Sequence, residues 1–128
     1  MGQRYLIDSN VIIDYTTNIF PSGASEFVEQ VFNKDFSISV IVKIEVLGFN
    51  DEPAKLEGLE EFLKTASVIP LDDEVIQQTI LLRRQHKIKL GDAIIAATAI
   101  LNGLTLLTRN ISDFKNVNDL QIVNPWNL

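Results

Sequence analysis

Apolar residues recur along this chain in two alternating rhythms. Short runs of strand-forming residues stand at Tyr5-Leu6-Ile7, Phe36 to Val40, Ser67 to Leu71, Leu104 to Thr108 and Leu120 to Val123. Between them, apolar residues fall at helical spacing. Ser9 and Asn10 are good N-caps for a helix beginning Val11-Ile12-Ile13. Pro21-Ser22-Gly23 interrupts the pattern, and a helix follows over 24–33 with Phe27, Val28, Val31 and Phe32 on one face. A short helix over 41–49 carries Glu45 in its middle, and Asn50-Asp51-Glu52-Pro53 starts another over 54–64. Pro70 places the third strand on an edge. Asp72 or Asp73 caps a helix that runs to about His86 through Val75, Ile76, Thr79, Ile80 and Leu82.

After a polar linker at 87–91, Asp92 opens the segment Ala93 to Leu101. It is apolar nearly all round, which predicts a central, buried helix. Asn102-Gly103 is its stop. Residues 109–114 form a loop or single turn, and Pro125 ends regular structure. Strands alternating with helices predict an α/β fold, a parallel sheet between helix layers in a three-layer sandwich. No repeat, low-complexity stretch or second domain interrupts it, so 1–128 reads as a single domain.

The composition narrows the functions open to such a domain. With 128 residues, 46% apolar and 22% charged, the chain suits one ordinary core. It has no Cys, which excludes thiolate metal sites and thiol catalysis. No basic leader or membrane-length apolar run is present, so a cytoplasmic location is expected. The net charge of -6 argues against coating nucleic acid by electrostatics alone. It leaves open an enzyme that meets phosphates through bound cations. The single His, His86, rules out His-rich metal sites.

Four acids share one setting, an apolar context near a strand end or a helix start: Asp8, Glu45, Asp92 and Asp113. Each has an ordinary reading as well. Asp92 suits an N-cap, Asp8 and Asp113 suit turns, and Glu45 suits a narrow solvated face. In a parallel sheet, strand ends and helix starts gather at one edge, where ligands bind. Two unit charges ~4 Å apart repel by about 4 kcal/mol at an effective dielectric near 20. A cluster of four therefore requires protonation or a cation. Oxygen donors without Cys or His select hard ions such as Mg2+ or Mn2+, which commonly serve phosphodiester hydrolysis.

The same residues carry a family resemblance. Leu6-Ile7-Asp8-Ser9-Asn10 followed by Val11-Ile12-Ile13-Asp14 resembles the opening of PIN domains. Ile44-Glu45-Val46-Leu47 is similar to their second acidic motif, and Leu90-Gly91-Asp92-Ala93-Ile94-Ile95-Ala96-Ala97-Thr98-Ala99 to their third, the most specific of the set. Leu107-Thr108-Arg109-Asn110-Ile111-Ser112-Asp113-Phe114 resembles the fourth. Order and spacing agree over the whole chain, at the length of the toxins of VapBC toxin–antitoxin pairs. The resemblance implies a Mg2+- or Mn2+-dependent endoribonuclease, a homodimer, an RNA substrate and a cognate antitoxin. It implies metal binding and catalysis by Asp8, Glu45, Asp92 and Asp113, with Asn10, Thr108 and Asn110 in support. Either Asn110 or Asp113 could fill the fourth position.

Three other readings compete, one of them a PIN-like protein that only binds RNA or a partner, against which the intact Asp8, Glu45 and Asp92 argue. A haloacid-dehalogenase-like phosphatase would use Asp8 as nucleophile, but needs an acid where Asn10 stands. A Mg2+-binding receiver-like signalling module needs adjacent acids after the first strand and a Lys after a late one. Asp8 stands alone there, and Asn124-Pro125 follows the last strand. The basic run Arg83, Arg84, His86, Lys87 and Lys89 reads either as a solvated face or as phosphate contacts. Trp126 reads as a core or dimer contact.

Overall fold

The computed structural model describes residues 3–48 and 51–127. Phe49 and Asn50, expected at a helix end and a helix start, lie outside the described residues. The sheet has five strands: β1 (Tyr5–Ile7), β2 (Ser37–Ser39), β3 (Ser67–Ile69), β4 (Thr105–Leu107) and β5 (Ile122–Val123). They run in the order β3-β2-β1-β4-β5, and every pairing is parallel. The helices are α1 (Ser9–Thr16), α2 (Ser22–Phe32), α3 (Val40–Leu47), α4 (Pro53–Leu63), α5 (Asp73–Gln85), α6 (Leu90–Asn102) and α7 (Ile111–Phe114). The expected α/β architecture with helices flanking a parallel sheet is therefore the observed one.

The strand order decides where a ligand can bind. From β1 the chain steps outward to β2 and then β3. It then crosses the whole sheet to β4 and steps outward again to β5. Right-handed crossovers assign α1 to α4 to one face and α5 to α7 to the other. The connections leaving β1 and β4 thus diverge, and the carboxyl ends of those two strands are the switch point at which such sheets bind ligands. Register fixes this edge closely: Tyr5, Leu6 and Ile7 pair with Thr105, Leu106 and Leu107. The ladder continues past the strands, with the Asp8 amide donating to the Leu107 carbonyl at 3.0 Å.

The core is one contiguous cluster centred on Leu6, Ile7, Ile38, Leu106 and Leu107, each fully buried. Central strands buried on both faces read as continuous aliphatic runs, and these do. In α6 every residue from Ala93 to Ala99 is buried, as its all-round apolarity predicts. Four of those seven positions are Ala, which lets the helix lie close to its neighbours. Gly103 ends it in the left-handed region at φ 61°, where a side chain would be strained. No helix among the described residues is long and apolar enough to cross a membrane.

Several boundaries differ from expectation, each for a local reason. Asp8, not Ser9 or Asn10, caps α1, accepting from the Ser9 amide. Ser22 and Gly23 form the first turn of α2 instead of a break, because Pro21 is extended at the cap position. Ser39 caps α3, so Val40 is helical rather than the last residue of a strand. Asp72 is the cap of α5. Lys89 is the cap residue of α6, so the helix begins inside the expected linker and Asp92 lies within its first turn. Pro125 starts a short 3-10 turn over Pro125–Asn127 instead of ending regular structure. On α5, Val75, Thr79 and Leu82 are buried while Ile76 and Ile80 face outward.

Candidate active site

Asp8 is the first residue past β1, and its backbone is still tied to β4. Its side chain is 96% out of solvent, with a relative exposure of 4%. A buried carboxylate must be matched by donors, and this one is. Thr108 Oγ1 donates to Asp8 Oδ2 at 2.7 Å, and Asn10 Nδ2 donates to the same oxygen at 3.1 Å. The Ser9 amide donates to Oδ1 at 2.8 Å. Thr108 is held in turn: it accepts from Asn10 Nδ2 at 3.2 Å and from the Asn110 amide at 3.0 Å. Asn10 uses its other end too, its Oδ1 accepting from the Arg109 amide at 3.0 Å. The α1 start and the loop after β4 are therefore one hydrogen-bonded unit around Asp8. Asn10 serves in it as a donor, which the acid required by the phosphatase reading could not do.

Glu45 and Asp92 approach from two different helices. Ser9 Oγ reaches Glu45 Oε1 at 3.4 Å, linking α1 to α3. A Cβ added to Gly91 would stand 3.9 Å from Glu45 Oε2, so the first turn of α6 faces the same carboxylate. Asp92 follows at the next position, half-buried. Asp113, exposed on α7, acts on Asp92 by charge. Asn110 lies at the α7 cap position without making a side-chain cap bond. Lys89 is close enough to offset part of this negative field.

The electrostatics record the crowding. Asp8 is raised above its usual range by burial, although bonds from Thr108, Ser9 and Asn10 hold it back. Burial raises Glu45, and the charge on Asp8 adds to the effect. Asp92 is raised from 3.8 to about 6 by burial, then by Asp113 and Asp8, with Lys89 opposing and Glu45 contributing last. Its place in the first turn of α6 favours the charged form by about 0.3–1 kcal/mol through the helix dipole. Desolvation and three acidic neighbours push the other way and win. Among the described residues, no group of three or more His or acidic side chains is gathered tightly enough to grip an ion as it stands. The acids meet through their fields rather than through a closed shell.

Several site residues carry no obvious mark in the sequence. Ser9 bridges Asp8 and Glu45. Asp14, one turn beyond Asn10, is 4% exposed and receives Arg109 Nη1 at 2.8 Å and Trp126 Nε1 at 3.0 Å. Its spacing from Asn10 and its place between Ile13 and Tyr15 were the available signals. Trp126 also packs on Phe20, ring centroids 4.8 Å apart. Its role is a contact within the chain. In the basic run, Arg83 Nη1 caps the Ile88 carbonyl at 2.8 Å, and Arg84, Lys87 and Lys89 are exposed.

An acidic edge at the switch point of a five-stranded parallel sheet, with Asp8 at a strand end, Asp92 in a first helical turn and Glu45 within α3, defines a class. A model of the PIN domain matches residues 5–120, and the chain belongs to that family. Its fold is similar to a toxin–antitoxin complex from Klebsiella pneumoniae, at 29% identity over 94% of this chain and 97% of that one, with a TM-score of 0.79. It is similar to FitAcB from Neisseria gonorrhoeae at 25% identity, covering 97% and 99% of the two chains, with a TM-score of 0.77. DNA-bound VapBC from Salmonella typhimurium shares the fold at a TM-score of 0.81 and 19% identity, over 97% and 99% of the chains. No curated protein matches the chain by sequence.

The pKa directions make a stability prediction. A carboxyl whose folded pKa is raised favours the fold in its neutral form. For Asp92 that stabilisation is complete below about 4 and is lost as pH rises through about 6. Glu45 and Asp8 act in the same direction. In EDTA the melting temperature is expected to fall across this window, and Asp92→Asn to flatten the fall and melt higher than wild type at neutral pH. A variant that melts lower at pH 7, with the slope unchanged, would make Asp92 a structural residue of α6.

Proposed function

We propose that this chain is a divalent-metal-dependent endoribonuclease and the toxin of a type II toxin–antitoxin pair. The observation that carries the reading is Asp8: a carboxylate buried at the switch point, donor-matched on both oxygens and electrostatically coupled to Glu45 and Asp92. Membership of the PIN family and similarity to toxin–antitoxin complexes support it.

The donor set fits a hard cation. All four acids offer oxygen, no thiolate or imidazole competes among them, and their mutual repulsion is what a 2+ ion would relieve. Asp8, Glu45, Asp92 and Asp113 are the residues that would hold Mg2+ or Mn2+. When bound, such an ion supplies neutralisation of the phosphodiester charge, activation of water and stabilisation of the leaving oxygen. The chain's own residues do the rest. Thr108, Asn10 and Ser9 fix both oxygens of Asp8, so its geometry does not depend on the ion. Burial and its acidic neighbours raise Asp92 to about 6, and they raise Glu45 and Asp8 too, so loading at mildly acidic pH displaces protons from this group of carboxyls. Thr108 Oγ1 is fully buried and its hydrogen is committed to Asp8, so it is not placed to attack substrate. In the hydrolysis proposed, the oxygen of water bonds to phosphorus, the P–O bond to the leaving nucleotide breaks, and the proton the water gives up is balanced by the one the leaving oxygen takes; no residue of the set is an obvious covalent nucleophile.

The same reading includes a cognate antitoxin and a homodimer. Val68, Leu71, Ile76, Ile80 and Leu81, on β3, the following loop and α5, are each apolar and exposed, and pairing of two copies is one way to cover such residues. Light scattering at micromolar concentration is expected to give twice the 14.4 kDa chain mass. A monomer mass would contradict the dimer.

Purified protein is expected to cleave single-stranded RNA with Mg2+ or Mn2+ and to be silent in excess EDTA. Asp8→Asn and Asp92→Asn should each lower the rate by about a hundredfold or more, as loss of a metal-site group does, with the circular dichroism spectrum unchanged. Full cleavage in EDTA would remove the metal from the reaction.

A further inference from the structure

The acidic edge depends on a loop that has no regular structure of its own. Between β4 and α7 the chain runs through Thr108, Arg109 and Asn110, and it delivers both the Thr108 hydroxyl and, a turn later, Asp113. What holds this loop against α1 is Arg109, gripped at two places. Its backbone amide donates to Asn10 Oδ1 at 3.0 Å, and its guanidinium Nη1 donates to Asp14 Oδ2 at 2.8 Å. Asn10 and Asp14 are four residues apart on α1, so they lie one above the other on a single face of that helix. Asp14 is buried, whereas the Arg109 side chain is 47% exposed. The buried partner is thus the fixed one. Asp14 Oδ2 also accepts from Trp126 Nε1 at 3.0 Å, which brings the 3-10 turn after β5 to the same point.

We propose that Asp14 is a positioning residue of the site: through Arg109 it holds the β4–α7 loop in register with α1, and so sets Thr108 and Asp113 relative to Asp8. The carboxylate reaches no other acid of the site by hydrogen bond, and its two donors account for its burial. It acts at one remove, on the segment that carries site residues. An Arg–carboxylate contact with one partner desolvated is directional and resists sliding more than a neutral pair does. A purely structural ion pair would stabilise the whole domain alike. The clamp instead restrains one short loop.

The functional half of this inference rests on the nuclease reading above; the restraint itself does not. The test is amide hydrogen exchange followed residue by residue in the metal-free protein, comparing wild type with Asp14→Asn. Asn at 14 still accepts from Trp126 but loses the charge that holds Arg109. Exchange at the Arg109 and Asn110 amides is expected to quicken about tenfold or more, while the Asp8 amide, bonded to Leu107, and the Leu106 amide, bonded to Gln121, change by less than about twofold, a local opening rather than a global one. Arg109→Lys keeps the charge with a single-point donor and should lie between the two. In the RNA cleavage assay Asp14→Asn should lower kcat about tenfold or more with KM within about twofold, since a misplaced loop affects chemistry more than binding. Unchanged exchange at Arg109 and Asn110 would overturn the clamp, as would a uniform rise at all four amides. A local rise with kcat unaltered would overturn its role in positioning. If wild type cleaves no RNA, the nuclease reading fails, and the exchange data still decide the clamp.

Discussion

The Thr108 hydroxyl donates to Asp8 Oδ2 at 2.7 Å from a position with no exposure to solvent. The two residues stand 100 apart in sequence and next to one another at the ends of β1 and β4. Without that donor, Asp8 Oδ2 would keep only the longer bond from Asn10 Nδ2 at 3.1 Å, and a hydrogen bond to a charged group contributes about 1.5–3 kcal/mol. With it, the negative end of the site is part of the folded framework rather than an appendage. The other contacts are arranged around this one: Asn10 touches both members, the Asn110 amide orients the hydroxyl, and Ser9 extends the unit to Glu45. The parallel register of β1 and β4 is what makes the pairing geometrically possible.

The framework explains why four acids can share an edge of so small a domain. Asp8 is stabilised by fixed donors, and its charge is then felt by Glu45 and Asp92. Lys89 offsets only part of the resulting field. The chain as a whole carries -6, so its net charge repels a polyanion. A divalent ion at the acidic edge would reverse the sign of the field at the one place where a phosphodiester must approach. The acidic balance of the chain and a nucleic-acid substrate are compatible on those terms.

Much of this was legible from residue pattern. Aliphatic runs such as Tyr5-Leu6-Ile7 and the stretch Ala93 to Ala99 have environments set by long-range burial, and burial follows apolarity closely. Gly103 was legible because a helix that ends in the left-handed region favours glycine. What escaped were choices between near-equivalent polar residues. Asp8, Ser9 and Asn10 are all good caps, and only the tertiary position of Thr108 decides that Asp8 takes the cap while Asn10 turns to the loop. Asp92 looked like a cap for the same reason; the helix instead starts at Leu90, and Asp92 occupies its first turn. Asp14 stands in the opening motif, but its role could not be read there because its partners, Arg109 and Trp126, are 95 and 112 residues away. No local pattern distinguishes an acid awaiting an Arg from one facing water.

Asp8, Glu45, Asp92 and Asp113 are proposed to form one electrostatic unit that a divalent cation completes. Carbon-detected NMR titration of the Asp and Glu carboxyls, with and without Mg2+, tests it at the atoms concerned. In the metal-free protein Asp92 is expected to titrate near 6, well above an ordinary carboxyl. Saturating Mg2+ should move that midpoint down by more than about one unit, since an adjacent cation favours the charged form. An Asp92 that titrates near 3.8 in both conditions, or one that stays near 6 when Mg2+ is added, would contradict the account.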